Sequence, residues 1–374
     1  KFCSKTTDNP PNEIQMNKLT LAAFAASLMI AVPAASQNTR LLTADRHNEY
    51  GLVYSLPVTA LRIDVTAERT VNLAGPYFQY AKKFVGTDKV IRENSENWTI
   101  TKVSVVPYGI PDEDNKYLMQ LKPGAVTYIC VDDNGMLLSI NREETVTRPA
   151  APEIPENPDP VNIREYLQYV DEDFIASQSS VKQAQMLAEN LMEIRDAKTS
   201  LTRGTAETMP TDGRQLELML ESLRHQEAAM TAAFTGASYK ETVVRSYNFT
   251  PEDEGRSVLF RMSDFAGFVD ADDYSGDPVY VDVTVTSEGE LPVDDKGEEK
   301  KLPKDAVIYN VPGAARVELS LLGKKLCSTE TEFSQFGVRF GMQPALFSNK
   351  KERSFAVFNP VTGGLRELGL APDE

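Results

Sequence analysis

Two histidines and three cysteines are spread over 374 residues, and these scarcities bear on nucleophile, zinc and disulfide chemistry. A nucleophile triad needs an imidazole beside a serine or cysteine. His47, in DRHNEY, precedes the first strand candidate, and His225 sits between Arg224 and Gln226 on a helical stretch; neither stands in a nucleophile motif. A zinc site drawn from Cys130, Cys327, His47 and His225 would need four distant segments to converge without one close ligand pair. Cys130 and Cys327 also make no disulfide framework, and spacing alone leaves a bridge between them open; buried free thiols are the plainer reading.

Positive charge is scarce as well. Lys and Arg number 39 against 55 Asp and Glu, a net charge of −16, so the chain repels phosphate backbones and nucleic acid is set aside as a partner. PVTGGLREL has a Gly pair but lacks the Lys and the spacing of a phosphate-cradling loop. The apolar run from Leu19 to Val32 falls short of the ~20 residues that span a bilayer as a helix.

That run is nevertheless the first clear signal. Met16, Lys18, the apolar stretch, and then Ala34 and Ser36 ahead of Gln37 read as a secretory signal peptide over residues 16–36, with residues 1–15 a non-native or upstream segment. No Cys follows the run to carry a diacylglyceryl anchor. The expected mature chain is exported to the periplasm or the exterior, without a membrane span. It is one unit more negative, because Lys1, Lys5 and Lys18 leave with Asp8 and Glu13.

Residues 37–147 read as an N-terminal β-rich domain. Apolar and polar residues alternate from Leu61 to Val65, and Pro57 marks an edge or a step between strand pieces. In GPYFQYAKKFVG, Pro76 begins a short helix that puts Tyr77, Tyr80, Ala81 and Phe84 on one face. WTITKVSVV and YLMQL are further strands, and AVTYICV and MLLSI form a hairpin through Asn134-Gly135. Five prolines in RPAAPEIPENPDP make residues 148–160 a stiff, extended linker.

Residues 161–236 turn helical. Ala184, Leu187, Leu191, Ile194 and Leu201 form one apolar stripe, and Leu216, Leu220, Leu223, Met230 and Phe234 another, as in a helical hairpin; Asp212 with Gln215 resembles a capping box. From residue 237 to 374 the period returns to two, with seven strand candidates from ETVVRSYNF to LREL forming a C-terminal β-rich domain. The fold class expected is α+β: two β-rich, sandwich-like units with a helical hairpin between them.

Three words recur in order. Tyr54-Ser-Leu56-Pro57-Val-Thr-Ala60 matches Tyr309-Asn-Val311-Pro312-Gly-Ala-Ala315; YFQYA around Gln79 matches FSQFG around Gln335; and Asn134-Gly135-Met-Leu137 matches Thr362-Gly363-Gly-Leu365. This order suggests an internal duplication, with the first copy enlarged by NWTITKVSVVPYGIPDEDNKY. The two glutamines are expected to satisfy backbone groups inside their own units, since an amide both donates and accepts.

With those words in place, YSLPVTALRIDVTAERT, GPYFQYAKKFVG, MPTDGRQLELMLESLRHQEAAMTAAFTG, QFG and FNPVTGGLREL together resemble the secreted Bacteroidetes proteins catalogued as a domain of unknown function, family 4831. The resemblance runs from about Tyr50 to Leu370. It implies an exported envelope protein and brings no catalytic or cofactor-binding residue with it.

One metal candidate stands in the sequence. In DADDYSGD, Asp270, Asp272 and Asp277 offer oxygen ligands to calcium, yet Gly276 and Val281 depart from the EF-hand pattern, and a solvated acidic turn is the plainer reading. The functional expectation is a non-enzymatic binding or assembly module of the envelope, contacting a protein or glycan through its helical hairpin or sheet edges. The alternative is a carbohydrate-active hydrolase with unplaced carboxylates.

Overall fold

The computed structural model describes residues 51–120, 128–146, 148–303, 306–343, 346–347 and 353–370. Residues 1–15, the signal segment and His47 lie outside them. The chain divides into two compact units, residues 1–53 with 118–124, and residues 54–117 with 125–374. Of the first, only the ends of two strands are described; the second carries everything below.

Strand β1 (Gly51–Leu73) leads through a 3-10 turn (Phe78–Tyr80) and α1 (Ala81–Phe84) to β2 (Ser95–Gln120), then β3 (Ile129–Val131) and β4 (Leu137–Ile140). A second 3-10 turn (Glu165–Tyr169) precedes α2 (Glu172–Ala176), α3 (Ser180–Arg203) and α4 (Gly213–Thr235). Then come β5 (Ala237–Phe249), β6 (Gly255–Ser263), β7 (Gly267–Val269), β8 (Asp277–Ser287), β9 (Val307–Leu321), β10 (Lys324–Met342), β11 (Ser354–Phe358) and β12 (Leu365–Leu370). The fold is α+β and mostly β. Three sheets form, in the orders β2-β1-β5, β10-β9-β8-β6-β7 and β12-β11-β4-β3. Strands from before and after the helices therefore share two of the sheets, a long-range pairing that no local pattern encodes.

The period-two alternation of β1 works as expected. Leu61, Ile63, Val65 and Ala67 are fully buried against Phe260, Val279, Val281, Val317, Leu319 and Phe333 of the five-stranded sheet, while Arg62 and Asp64 point the other way. Burying each of the three larger β1 side chains contributes about 1.5–3 kcal/mol. Tyr247 of β5 stacks on Phe260 with ring centroids 4.6 Å apart, fixing the third strand over the same core.

The helical stripes hold too. Ser179 accepts from the Lys182 N–H at the start of α3, and Gly204, at φ 71°, ends it in the left-handed conformation that glycine adopts without a Cβ penalty. Ala184, Leu187, Leu191 and Ile194 pack with Met230 and Phe234 of α4, and Tyr77, Ala81, Tyr166 and Phe174 close this second core. Asp212 caps α4 through the Arg214 N–H at 3.2 Å, one residue short of the reach of a capping box.

The proline-rich stretch carries no regular structure and is pinned at two points. Arg62 donates to the carbonyls of Pro149 and Ala150 at 3.2 and 2.7 Å. Asn157 donates to the Thr242 carbonyl and accepts from its N–H, at 2.9 and 2.6 Å. Since β5 is an edge strand, this single amide satisfies two backbone groups that an incoming strand would otherwise use.

Pro57, expected at an edge or a step, falls inside the continuous strand β1. Two of the seven C-terminal strand candidates, VIYNV and ARVELSLL, are one strand, β9, which runs through Pro312, and its partner β10 was not among the seven. Pro312 needs no ladder partner because β10 is irregular there: Phe333 pairs with Gly313 and Val338 with Val311, leaving Ser334–Gly337 opposite the proline. Gln335, in that irregular stretch, donates to the carbonyls of Thr59 and Pro251, both at 2.9 Å, and accepts from the Thr59 N–H at 3.2 Å. It satisfies backbone groups as expected, one of them in its own C-terminal part at Pro251 and the others in β1 at Thr59.

The glutamine correspondence is a correction. Gln79 lies exposed in the first 3-10 turn, so the two glutamine words occupy unlike structures. Tyr108-Gly109-Ile110 of β2 and Phe336-Gly337-Val338 of β10 each bring a glycine against a proline. A Cβ on Gly109 would lie 3.1 Å from the Pro57 Cβ, and one on Gly337 2.8 Å from the Pro312 Cα. Gly135 follows Gly109, and Gly363 follows Gly337, by the same 26 residues. NWTITKVSVVPYGIPDEDNKY, expected as an insertion, lies wholly within β2, and the 3-10 turn and α1 stand between β1 and β2. The other two words make like contacts. Ser55 bridges Met136 and donates its N–H to Gly135 O, while Asn310 bridges Gly364 and donates its N–H to Gly363 O.

Candidate functional site

The acidic stretch Asp270–Asp277 links β7 to β8, and Asp277 pairs with Met262 at the start of β8. One of its carboxylates serves the turn: Asp273 accepts from the Ser275 N–H at 2.9 Å, which holds its carboxyl below the ordinary aspartate range. Arg261 occupies the inside of the loop, donating to the carbonyls of Ala271 and Gly276 at 2.8 and 3.1 Å. Among the described residues, no three His, Cys, Asp or Glu side chains come together in a group able to hold a metal. Asp270, Asp272 and Asp277 are therefore strung along the loop without converging.

Arg261 also lies 4.5 Å from the centre of the Tyr274 ring, whose opposite side is open: Tyr274 is 83% exposed. Phe265, in the β6–β7 turn, is 84% exposed. Neither aromatic was singled out in the sequence, because an acidic, glycine-containing turn reads as solvent whatever ring it carries.

The cysteines stand apart in the topology. Cys130 is on β3 and its thiol donates to the Glu144 carbonyl at 3.1 Å; Cys327 is on β10 beside the first core, and burial raises its thiol pKa. Both are free. His225 is exposed on α4 with no nucleophile word around it.

On the helical pair, Glu227 of α4 receives Lys198 and Arg195 of α3, the latter at 2.9 Å. The Lys198 hydrogen bond is the main reason its carboxyl sits below the usual glutamate range, Arg195 adds to it, and partial burial opposes both. A shallow depression of about 360 Å³ beside this pair is lined by Arg195, Arg224, Glu227, Thr231 and Thr235. The buried residues of α4 are Ala229, Met230, Ala233 and Phe234, all in its C-terminal half. In the N-terminal half, Leu216, Leu220 and Leu223 are only half-buried, and Leu218 and Met219 are exposed at 54% and 39%. The helix carries more apolar surface than its partner α3 covers.

A second uncovered apolar surface lies on β12. Leu368 and Leu370 are 51% and 66% exposed on an edge strand. The signal available in the sequence was LREL, a half-apolar strand with no strand candidate after it. The pattern gave its period but not its place in the sheet.

These surfaces carry Asp273 tied to its own turn, Arg261 bonded to loop carbonyls, Glu227 paired with Lys198 and Arg195, and apolar side chains on a helix and an outer strand. No helix among the described residues is long and apolar enough to cross a membrane. Against known proteins, a family model described as "Domain of unknown function (DUF4831)" matches residues 50–366. No curated protein and no solved structure matches the chain.

Proposed function

The chain belongs to the DUF4831 family of domains of unknown function, and from that premise we propose that it is an exported, non-enzymatic binding or assembly module of a Bacteroidetes cell envelope. The observation that carries this reading is the uncovered apolar surface of α4. Leu218 and Met219 stand exposed on a helix whose other end is fully packed, the arrangement expected of a helix that offers part of its face to a partner. The apolar segment ahead of Gln37 and the net negative charge support export and argue against nucleic acid.

Descent from a duplicated β-rich module belongs to the same reading. It is supported by the equal spacing of Gly109–Gly135 and Gly337–Gly363 and by the matching bridges at Ser55 and Asn310.

The test is in-cell photocrosslinking from a probe amino acid at Met219, in a Bacteroidetes host expressing the full chain, with Leu218→Glu as control. A discrete envelope adduct that Leu218→Glu abolishes is expected. Adducts absent, or unchanged by Leu218→Glu, would remove α4 as the contact surface. N-terminal sequencing of the fractionated protein should find Gln37 first; recovery from the cytoplasm with an intact leader would end the export proposal.

A further inference from the structure

The hairpins β3–β4 and β11–β12 correspond pair by pair. Cys130 faces Ser139 as Val357 faces Glu367; Ile129 faces Ile140 as Ala356 faces Leu368; Val131 faces Leu137 as Phe358 faces Leu365. Each ladder has its one register shift at the same step, between Cys130 and Val131 and between Val357 and Phe358. Both turns begin with the same local bond, Asp132 Oδ1 accepting from Asn134 N–H and Asn359 Oδ1 from Val361 N–H, each at 2.9 Å.

The joint between the hairpins is β4 on β11, antiparallel, with Ser139 opposite Val357 and Ile140 opposite Ala356. The sheet order β12-β11-β4-β3 therefore repeats the hairpin and does not mirror it. A repeated order leaves complementary ends: β12 is the counterpart of β4, and β3, the outermost strand among the described residues, is the counterpart of β11. The two strand types joined in the middle of the sheet are the two left at its edges. Burial follows the same logic. Ile140 and Ala356 are 0% exposed, whereas Leu368, the counterpart of Ile140, is 51% exposed at the end of the same row.

We propose that a second copy of this chain adds its β3 to β12 in the register of the internal joint, placing Cys130 of the second copy opposite Glu367 and its Ile129 opposite Leu368. Backbone hydrogen bonds along the new ladder and burial of the apolar row drive the contact. Because the two edges differ, the interface is head-to-tail and an open assembly keeps one free β12 edge at one end and one free β3 edge at the other, so association proceeds to a ring or an open chain. This contact is distinct from the α4 surface and commits to self-association.

Analytical ultracentrifugation of the full chain over a concentration series is the test. Species should grow with concentration, and Leu368→Lys with Leu370→Lys should return the protein to a monomer, while Leu218→Glu on α4 leaves association unchanged. Directly opposed strand residues lie about 4.5–5.5 Å apart between Cα atoms, within disulfide reach. In a Cys3→Ser, Cys327→Ser background, Glu367→Cys should therefore give an oxidised ladder on non-reducing gels that vanishes with Cys130→Ser. If the lysine pair lowers the melting temperature, this ladder decides. A monomer at every concentration, association indifferent to the lysines in a folded variant, or a ladder that survives loss of Cys130 would overturn the proposal.

Discussion

The side-chain amide of Asn310 donates to the carbonyl of Pro57 at 3.1 Å and to that of Thr362 at 2.7 Å, so one buried residue of β9 ties β1 to the β11–β12 turn. Asn310→Ala leaves two buried carbonyls without a donor. At ~1–3 kcal/mol for each orphaned group, a loss of about 2–6 kcal/mol is expected, read as a lower urea midpoint at unchanged slope.

The two glutamines separate cleanly. Gln335→Glu keeps the shape of the side chain but removes the donor to Thr59 and Pro251, and should cost roughly 1–3 kcal/mol. Gln79→Ala, at an exposed turn, should stay within about 0.5 kcal/mol of the wild type. Thermal melts of both variants check the pair, and equal effects would contradict the assigned roles.

Close backbone approach makes two glycines irreplaceable. A Cβ on Gly109 would lie 2.1 Å from Pro360 O, and one on Gly337 2.0 Å from Val311 O. Backbone must move in either case, so Gly109→Ala and Gly337→Ala should each destabilise by ~1–3 kcal/mol or more. Gly213→Ala, where a Cβ meets nothing within 4 Å, is the matched control and should be neutral or slightly stabilising in chemical denaturation.

The Glu227 pair gives a signed pH dependence. Lys198 and Arg195 hold its carboxyl below the ordinary glutamate value of 4.5, so near that pH the unfolded chain binds the proton more readily than the folded one. Stability from the pair is present in full above 4.5 and is lost as pH falls through the lower folded value. Melting temperatures of wild type and Glu227→Gln measured from pH 7 down to 3 should differ most at the upper end and converge toward the lower. A gap that widens on acidification would reverse the assignment.

Much of the fold was legible. The alternation from Leu61 to Val65 and the stripe from Ala184 to Ile194 found their buried faces, because side-chain direction follows backbone period wherever one face is covered. The Asn134-Gly135 turn was found because a positive φ narrows the choice of residue there; only Gly135 takes it, at φ 81°. β10 escaped because KKLCSTETEFSQFGVRFGM mixes polar and apolar residues across an irregular pairing, which breaks the alternation. The glutamine words misled because a shared spelling around an amide says nothing about its partners. Of the candidate surfaces, the acidic loop was visible as charge and Leu368 as the end of LREL; Leu218, Met219 and Leu370 fell outside the apolar patterns.

Sequence by itself determined the local periods, the turn glycines, the acidic balance and the scarcity of histidine and cysteine, because each depends on residues near one another in the chain or on composition alone. Tertiary structure decided that β1 joins β5 and β4 joins β11, that Arg261 fills the acidic loop, and which leucines of a stripe remain uncovered. Those outcomes depend on strand pairings across hundreds of residues, where many registers satisfy the same period and only packing of the assembled sheets selects one.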